Sequence, residues 1–170
     1  MNKKDNVILI GMPGAGKSTI GVILAKIKGM NFIDSDLVIQ EKTGKLLKDI
    51  IEDEGVNGFI KVENDINSSI SVNNCIIATG GSAIYGEEAM THFKETGTVV
   101  YIKLDFDTID NRLGNIKQRG VLLKEGQNLK SLYTERCPLY EKYADIIVEA
   151  SGMDIEEVVE NIFTKLQNVV

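Results

Sequence analysis

The chain has 170 residues, of which 43% are hydrophobic and 26% are charged, a composition typical of a globular protein. Its formal net charge of −6 and the lack of a basic run argue against a nucleic-acid-binding protein. No apolar stretch approaches the roughly 18 residues of a membrane span, and the first apolar run is too short for a signal peptide. We therefore expect a single cytoplasmic domain over 1–170, monomeric and without a membrane partner, in which Cys75 and Cys137 are reduced thiols.

Short apolar runs rich in β-branched residues predict strands that are buried on both faces, over 7–10, 32–33, 75–78, 98–104 and 145–148. Longer amphipathic stretches between them predict helices over 17–28, 37–41, 45–69, 87–95, 106–113, 129–137 and 154–166. The stretch 45–69 contains Gly55 and Gly58 and is expected to form two helices or more. The alternation of strands and helices predicts an α/β fold with a parallel sheet and helices on both sides.

One segment, 114–128, does not fit this alternation. It contains Gly114, Gly120 and Gly126 together with several charged residues, so we expect an exposed, mobile loop. Loops of this length without regular structure are often functional lids. A surface insertion that is merely tolerated would have the same composition, so both readings stay open.

The first predicted strand leads into a phosphate-binding motif, G-x-x-x-x-G-K-[ST], over 11–18. Glycines allow the backbone to turn tightly and to point its N–H groups at phosphate oxygens, and the following helix adds a favourable field for an anion. Lys17 can reach the β- and γ-phosphates, and the Ser18 hydroxyl suits Mg²⁺. The predicted ATP-binding residues here are Gly11, Gly14, Ala15, Gly16, Lys17, Ser18 and Thr19.

Two aspartates, Asp34 and Asp36, follow the second predicted strand. Open α/β sheets bind ligands at the carboxyl ends of their strands. One carboxylate can therefore support Mg²⁺ through water, while the other accepts a hydrogen bond from an attacking hydroxyl. A purely structural alternative is that Ser35 or Asp36 caps the next helix.

Beyond these motifs the chain resembles the shikimate kinases over nearly its whole length. Phe59 and Glu63 match a Phe-Arg-x-x-Glu stretch, and Gly80-Gly81 match a Gly-Gly-Gly turn. An Arg-Pro-Leu-Leu lid is matched by Arg119 with Leu122-Leu123, and Arg-x-Pro-Leu-Tyr by 136–140. The resemblance implies a three-layer α/β/α P-loop fold of the nucleoside-monophosphate-kinase type. Its sheet would have five parallel strands in the order 2-3-1-4-5, with a lid and an acceptor-binding helical region over about 36–70.

The resemblance also implies an activity, the Mg²⁺- and ATP-dependent phosphorylation of shikimate to shikimate 3-phosphate in aromatic amino acid biosynthesis. Lys17, Asp36 and Arg119 would be catalytic, and Arg119 would close on the phosphates from the lid. Asp34 would lie near the metal with Ser18. Arg112 would lie over the adenine, and the loop 151–154 would border the base. The acceptor would bind to Asp36, Gly80, Gly81 and Arg136. Pro138 predicts that the helix carrying Arg136 ends there, and Glu63 alone has the properties of a surface carboxylate.

Departures from the family motifs lie mainly near the acceptor side. Ile60 occupies the position of the arginine in Phe-Arg-x-x-Glu, which by the resemblance would help to bind the shikimate carboxylate, and Ser82 occupies that of the third glycine. Gly120 replaces the lid proline, and Val56 occupies a position where a glutamate is usual. Lys61, next to Ile60, is an uncertain substitute, since one helical step turns a side chain by about 100°.

These departures leave three interpretations open. The acceptor is shikimate, or it is another small hydroxy acid or sugar acid such as gluconate. The third possibility is a nucleotide-binding regulatory protein without kinase turnover. The presence of Lys17, Asp34, Asp36 and Arg119 argues against it, because a pure binder needs neither the aspartate pair nor the lid arginine.

Overall fold

The computed structural model describes residues 4–114 and 121–169. In these ranges a five-stranded sheet has the order β2-β3-β1-β4-β5, and every neighbouring pair is parallel. The strands are β1 (Asn6–Ile10), β2 (Asn31–Asp34), β3 (Cys75–Ala78), β4 (Gly97–Lys103) and β5 (Ile146–Glu149). The strand order that the resemblance implied is confirmed.

The central strands are the most apolar, and their burial explains why they lie in the middle of the sheet. Every residue of β1 and β3 is buried, which requires cover on both faces. At the edges, β2 is partly exposed and β5 alternates buried and exposed residues. The main core therefore lies around β1, β3 and β4, and the carboxyl ends of these strands open towards one edge.

The helices that cover the sheet are α1 (Lys17–Lys28), α2 (Ser35–Thr43), α3 (Leu47–Ser68), α4 (Glu87–Thr96), α5 (Phe106–Leu113), α6 (Leu129–Tyr143) and α7 (Ile155–Gln167). A 3₁₀ turn, Ala83–Tyr85, precedes α4. Helix α1 packs against α7, and α3 packs against α2 and α4. The backbone leaves helical geometry at Gly55, so α3 consists of two helices across a kink, as predicted. None of the helices in the described ranges is both long and apolar enough to cross a membrane.

The predicted end of α6 at Pro138 is wrong, because the helix continues to Tyr143. A proline inside a helix removes one hydrogen bond and costs about 3 kcal/mol. Tertiary contacts offset this cost, since Arg136 is 1% exposed and Tyr140 is fully buried. The Tyr140 hydroxyl also donates a hydrogen bond of 2.6 Å to the carbonyl of Gly81, which ties the second half of α6 to the loop after β3.

Part of the lid segment 114–128 is described, and that part is not simply an exposed loop. Leu122 is 7% exposed and packs with Ile39, Ile50 and Phe59 in a second apolar cluster, which we call the acceptor-side cluster. The expectation of an exposed loop is therefore wrong at Leu122, because an apolar side chain anchors the segment to α2 and α3. Arg119 and Gly120 lie outside the described residues.

Candidate active site

The phosphate-binding loop connects β1 to α1 and has the shape that the motif predicted. Gly16 has a left-handed backbone, with φ of 88°, and no side chain in the described part of the chain caps the first turn of α1. A side chain at Gly11 would place its Cβ 2.8 Å from the carbonyl oxygen of Ile102, so only glycine fits there. The first N–H groups of α1 are thus left for an anion, which the helix dipole also favours.

Lys17, the first residue of α1, folds back over this loop. Its Nζ donates hydrogen bonds of 2.8 Å to the carbonyl oxygens of Gly11 and Met12, and the side chain is buried. Burial lowers the pKa of Lys17 to about 8, while the nearby Asp36 carboxylate raises it. At neutral pH the ammonium is therefore largely charged and already lies at the loop.

Asp34 and Ser18 meet at the edge of the loop. The Ser18 hydroxyl donates a hydrogen bond of 2.7 Å to Asp34 Oδ2, while Asp34 Oδ1 accepts one of 2.9 Å from the backbone N–H of Asp36. Asp34 is therefore the N-cap of α2, whereas the structural alternative had given that role to Ser35 or Asp36. The cap fixes the carboxylate beside the Ser18 hydroxyl.

This pair fits the needs of Mg²⁺, which prefers a few oxygen ligands and keeps several waters. Across the residues that the structure describes, no group of three or more His, Cys, Asp and Glu side chains could hold a metal ion. A hydroxyl and one carboxylate are what a magnesium ion needs when phosphate oxygens complete its shell. The donor set at Ser18 and Asp34 therefore suits a metal that arrives with a nucleotide.

Asp36 lies in the first turn of α2, facing the turn after β3. A Cβ at Gly80 would lie 2.7 Å from Asp36 Oδ1, so the absence of a side chain at Gly80 allows the turn to approach the carboxylate. Burial and the neighbouring Asp34 raise the pKa of Asp36 to about 6, and Lys17 opposes this shift. At neutral pH the carboxylate is mostly ionised and can accept a hydrogen bond from a hydroxyl.

Arg136, on α6, is held rigidly although it is a buried cation. Its Nη2 donates a hydrogen bond of 3.1 Å to the carbonyl of Leu122, and its Nε donates one of 3.4 Å to the Tyr85 hydroxyl. The guanidinium carbon lies 5.4 Å from the centre of the Tyr85 ring, and a Cβ at Gly81 would lie 3.0 Å from Nη1. The guanidinium is therefore fixed beside the Gly80-Gly81 turn.

The loop and these groups open into one cleft of about 570 Å³. Its nucleotide end is lined by Gly14, Gly16, Lys17, Ser18 and Thr19. Its acceptor end is lined by Asp36, Gly80, Gly81 and Arg136, with apolar contributions from Leu47, Ile51, Phe59 and Leu122. The structure thus brings together most of the residues predicted from the sequence, in a volume that suits a phosphate tail and a small molecule.

A second hollow of about 520 Å³ adjoins the nucleotide end, with which it shares Gly16 and Thr19. It is lined by Ala15, Arg112, Met153 and Asp154 among others. Arg112 donates a hydrogen bond of 3.1 Å from Nη1 to the carbonyl of Gly14, so the guanidinium is placed against the loop. Arg112 and the loop 151–154 contribute to this hollow beside the phosphate-binding loop, the place that the resemblance implied for the adenine.

Glu63 is buried, with only 2% of its surface exposed. The expectation that it is a surface carboxylate is therefore wrong. Its Oε1 accepts a hydrogen bond of 2.7 Å from the Ser82 hydroxyl, and its buried Oε2 has no hydrogen-bond partner among the described residues. Burial raises the pKa of Glu63 to about 7, and the Ser82 hydrogen bond opposes this shift. The sequence signal was available, because Glu63 lies four residues after the buried Phe59 and shares its helix face.

Neither Ile60 nor Lys61 supplies a polar contact to the acceptor end. Ile60 is partly buried and packs against the acceptor-side cluster, and it is not among the residues that line the cleft. The side chain of Lys61 is 79% exposed and forms an ion pair of 3.0 Å with Asp65. Lys61 therefore does not replace the arginine that the family motif would place at position 60.

Taken together, the loop after β1, the strand order and the paired acids at one cleft define a P-loop kinase of small molecules. Residues 13–167 match the family model described as shikimate kinase. A shikimate kinase from Francisella tularensis subsp. holarctica is 38% identical over 170 residues, which cover 98% of this chain and 97% of that protein. The chain belongs to the shikimate kinase family, and the resemblance seen in its motifs is confirmed.

Solved structures agree with this assignment. The shikimate kinase from Acinetobacter baumannii in complex with shikimate has a TM-score of 0.88 and 32% identity, and the match covers 99% of this chain and 97% of that one. The enzyme from Aquifex aeolicus has a TM-score of 0.80 and 33% identity, with 95% and 96% of the two chains covered. The predicted P-loop α/β fold is therefore confirmed.

Proposed function

We propose that this protein transfers the γ-phosphoryl group of ATP to a hydroxyl of shikimate, which gives shikimate 3-phosphate and ADP. The observation that carries the proposal is that the phosphate-binding loop and the acceptor end, with Asp36 and Arg136, line one cleft. Phosphoryl transfer depends mostly on positioning and on electrostatic stabilisation, and a shared cleft provides both. The relative from A. baumannii, solved in complex with shikimate, supports this choice of acceptor.

The nucleotide end binds ATP through the backbone N–H groups of 11–18 and through Lys17. When phosphates enter, the Lys17 ammonium exchanges the carbonyl oxygens of Gly11 and Met12 for phosphate oxygens. The adenine lies in the adjoining hollow between Arg112 and the loop 151–154. Ser18 and Asp34 would hold Mg²⁺ together with phosphate oxygens. A metal held there would supply positive charge against the phosphates.

At the acceptor end, Asp36 accepts a hydrogen bond from the attacking hydroxyl and orients it towards the γ-phosphate. Backbone N–H groups of Gly80 and Gly81 contact the acceptor, and Arg136 pairs with its carboxylate. Side chains of the helical region 36–70 line part of this end. Arg119, in the lid segment, lies outside the described residues, and its proposed role is to add positive charge at the transferred group.

Ile60 favours a second candidate, a kinase of another small hydroxy acid such as gluconate. An arginine–carboxylate hydrogen bond is worth about 1.5–3 kcal/mol, and isoleucine offers none of it. An acceptor that is held less strongly by its carboxylate, and more by its hydroxyls, would tolerate this change.

A coupled assay of ADP release distinguishes these candidates. Purified protein with Mg²⁺ and ATP is given shikimate, gluconate and other small hydroxy acids in turn. We expect saturable turnover with shikimate above the ATP hydrolysis seen without acceptor. Turnover of another acceptor alone would establish the second candidate, and ATP binding without any turnover would indicate a regulatory protein.

A further inference from the structure

Among the described residues, the acceptor end has one arginine, Arg136, where the family motifs would supply two. Arg136 is buried, and two of its three nitrogens already donate hydrogen bonds to Leu122 and Tyr85. Ile60 is apolar and is not among the residues that line the cleft, and Lys61 pairs with Asp65 on the surface. A bound carboxylate would therefore meet a single, partly occupied guanidinium unless another cation reaches the same place.

Lys48 is such a cation. It lies in the first turn of α3 and lines the same cleft, between the two apolar lining residues Leu47 and Ile51. Within the described ranges, the cationic side chains that line the cleft are Lys17, Lys48 and Arg136. Lys17 is bound to the phosphate-binding loop, which leaves Lys48 as the second positive group at the acceptor end.

The fold itself gives no reason for a cation at this position. A lysine in the first turn of a helix is disfavoured by the helix dipole. Its neighbours on the chain have partners, since Lys45 forms an ion pair of 2.9 Å with Asp53 and Lys42 donates to the Ser69 hydroxyl. Lys48 forms none of the ion pairs found among the described residues, although Glu52 lies one turn further along α3.

We infer that Lys48 binds the carboxylate of the acceptor together with Arg136, in place of the arginine absent at position 60. This inference rests on the proposed function. A lysine ammonium is a point charge on a flexible four-carbon stem, so it can reach a carboxylate without the fixed geometry that a guanidinium requires. The role is one of specificity, because the charge contacts a part of the acceptor that does not react.

The test replaces Lys48 by methionine, which keeps the length and apolar stem of the side chain and removes the charge. We expect the KM for shikimate to rise by about five- to tenfold, which is below the range for a charged hydrogen bond because the side chain is exposed to water. The kcat and the KM for ATP should stay within twofold, since the lost contact acts equally on the ground state and the transition state.

Two further variants and one compound isolate the charge. Lys45→Met removes the same charge three residues earlier, from a side chain that does not line the cleft, and should leave the KM unchanged. Lys48→Arg should restore most of the affinity. With the neutral carboxamide of shikimate as acceptor, wild type and Lys48→Met should have the same KM, because no carboxylate is present to bind.

The outcomes separate the inference from the proposed function. An unchanged KM for shikimate in Lys48→Met, or an equal rise for the carboxamide, would overturn the role of Lys48 while shikimate turnover by the wild type stands. No turnover of shikimate by the wild type would overturn both. A rise confined to the carboxylate-bearing acceptor, absent in Lys45→Met, would establish the inference.

Discussion

The two ends of the cleft consist of different chemical groups, backbone at one end and side chains at the other. At the nucleotide end, contiguous residues 11–18 present backbone N–H groups and one ammonium, and the sequence follows the motif without a departure. At the acceptor end, side chains from α2, α3, α6 and the turn after β3 converge, and Ile60 and Ser82 depart from the motif. Backbone chemistry requires a fixed local pattern, whereas a constellation of side chains can change one member and compensate with another.

Removing the ammonium at the nucleotide end should have the largest effect. Lys17→Ala is expected to reduce turnover by about a thousandfold, since a preorganised positive group at the transferring phosphate is lost. The coupled ADP-release assay measures this loss, and far-ultraviolet circular dichroism checks that the fold is retained. Turnover within tenfold of the wild type would mean that the nucleotide end does not act as proposed.

At the acceptor end, Asp36→Asn should lower turnover by about a hundredfold or more, because an amide is a poor acceptor for the proton of the attacking hydroxyl. ATP affinity, measured by calorimetry with Mg²⁺ present, should change little. An equal loss of turnover and of ATP affinity would place Asp36 at the nucleotide end and would remove the distinction between the two regions.

The pH dependence tests the same carboxylate in the unmodified protein. The pKa of Asp36 is raised to about 6 by burial and by Asp34, and only the ionised form can take the proton of the attacking hydroxyl. We therefore expect kcat/KM for shikimate to fall as the pH decreases through about 6, by up to tenfold per pH unit. A kcat/KM profile that stays flat down to pH 5 would contradict the role of Asp36. In Asp36→Asn, the fall of kcat/KM at low pH should be absent.

The smallest expected effect is on the free energy of unfolding. It concerns Ser82, which occupies the position of the third glycine in the family motif. The Ser82 hydroxyl stabilises the ionised form of Glu63, so its removal should raise the pKa of Glu63 further above the unfolded value. A carboxyl whose pKa is raised on folding loses stability as the pH rises through that pKa. Ser82→Ala should therefore lower the free energy of unfolding by about 1–3 kcal/mol at pH 8, and by less at pH 5, where Glu63 is protonated.

Thermal unfolding at the two pH values measures this difference, and Glu63→Gln supplies the control. In the Glu63→Gln background, Ser82→Ala should lower the free energy of unfolding by the same amount at both pH values, since no carboxyl remains to titrate. An equal cost of Ser82→Ala at pH 5 and pH 8 in the wild-type background would mean that the Ser82–Glu63 hydrogen bond does not carry the effect.

The sequence predicted the nucleotide end well because its geometry is local. A contiguous motif between a strand and a helix fixes both the turn and its ligand, and α1 and β3 begin and end where the pattern predicted. The break at Gly55 was predictable for a similar reason, since glycine is the residue that allows a positive φ at low cost. The strand order came from the family resemblance, because strand alternation leaves it open.

The acceptor end was less predictable because its properties depend on packing between distant elements. Glu63 is buried only because α3 packs behind the turn that carries Ser82, a contact across 19 residues. Pro138 removes a backbone hydrogen bond from α6, but the buried Arg136 and Tyr140 keep the helix continuous. Leu122 is covered by α2 and α3, which composition alone did not indicate. In each case a tertiary contact outweighed a local rule.

The most direct test of the shared cleft follows the phosphoryl group itself. Phosphorus NMR of a reaction with Mg²⁺, ATP and shikimate distinguishes a phosphate ester of shikimate from inorganic phosphate. We predict a new phosphomonoester signal that grows in step with ADP and is absent in Asp36→Asn over the same period. ADP accompanied only by inorganic phosphate would show that the two ends of the cleft do not act on one transfer, and would contradict the proposed function.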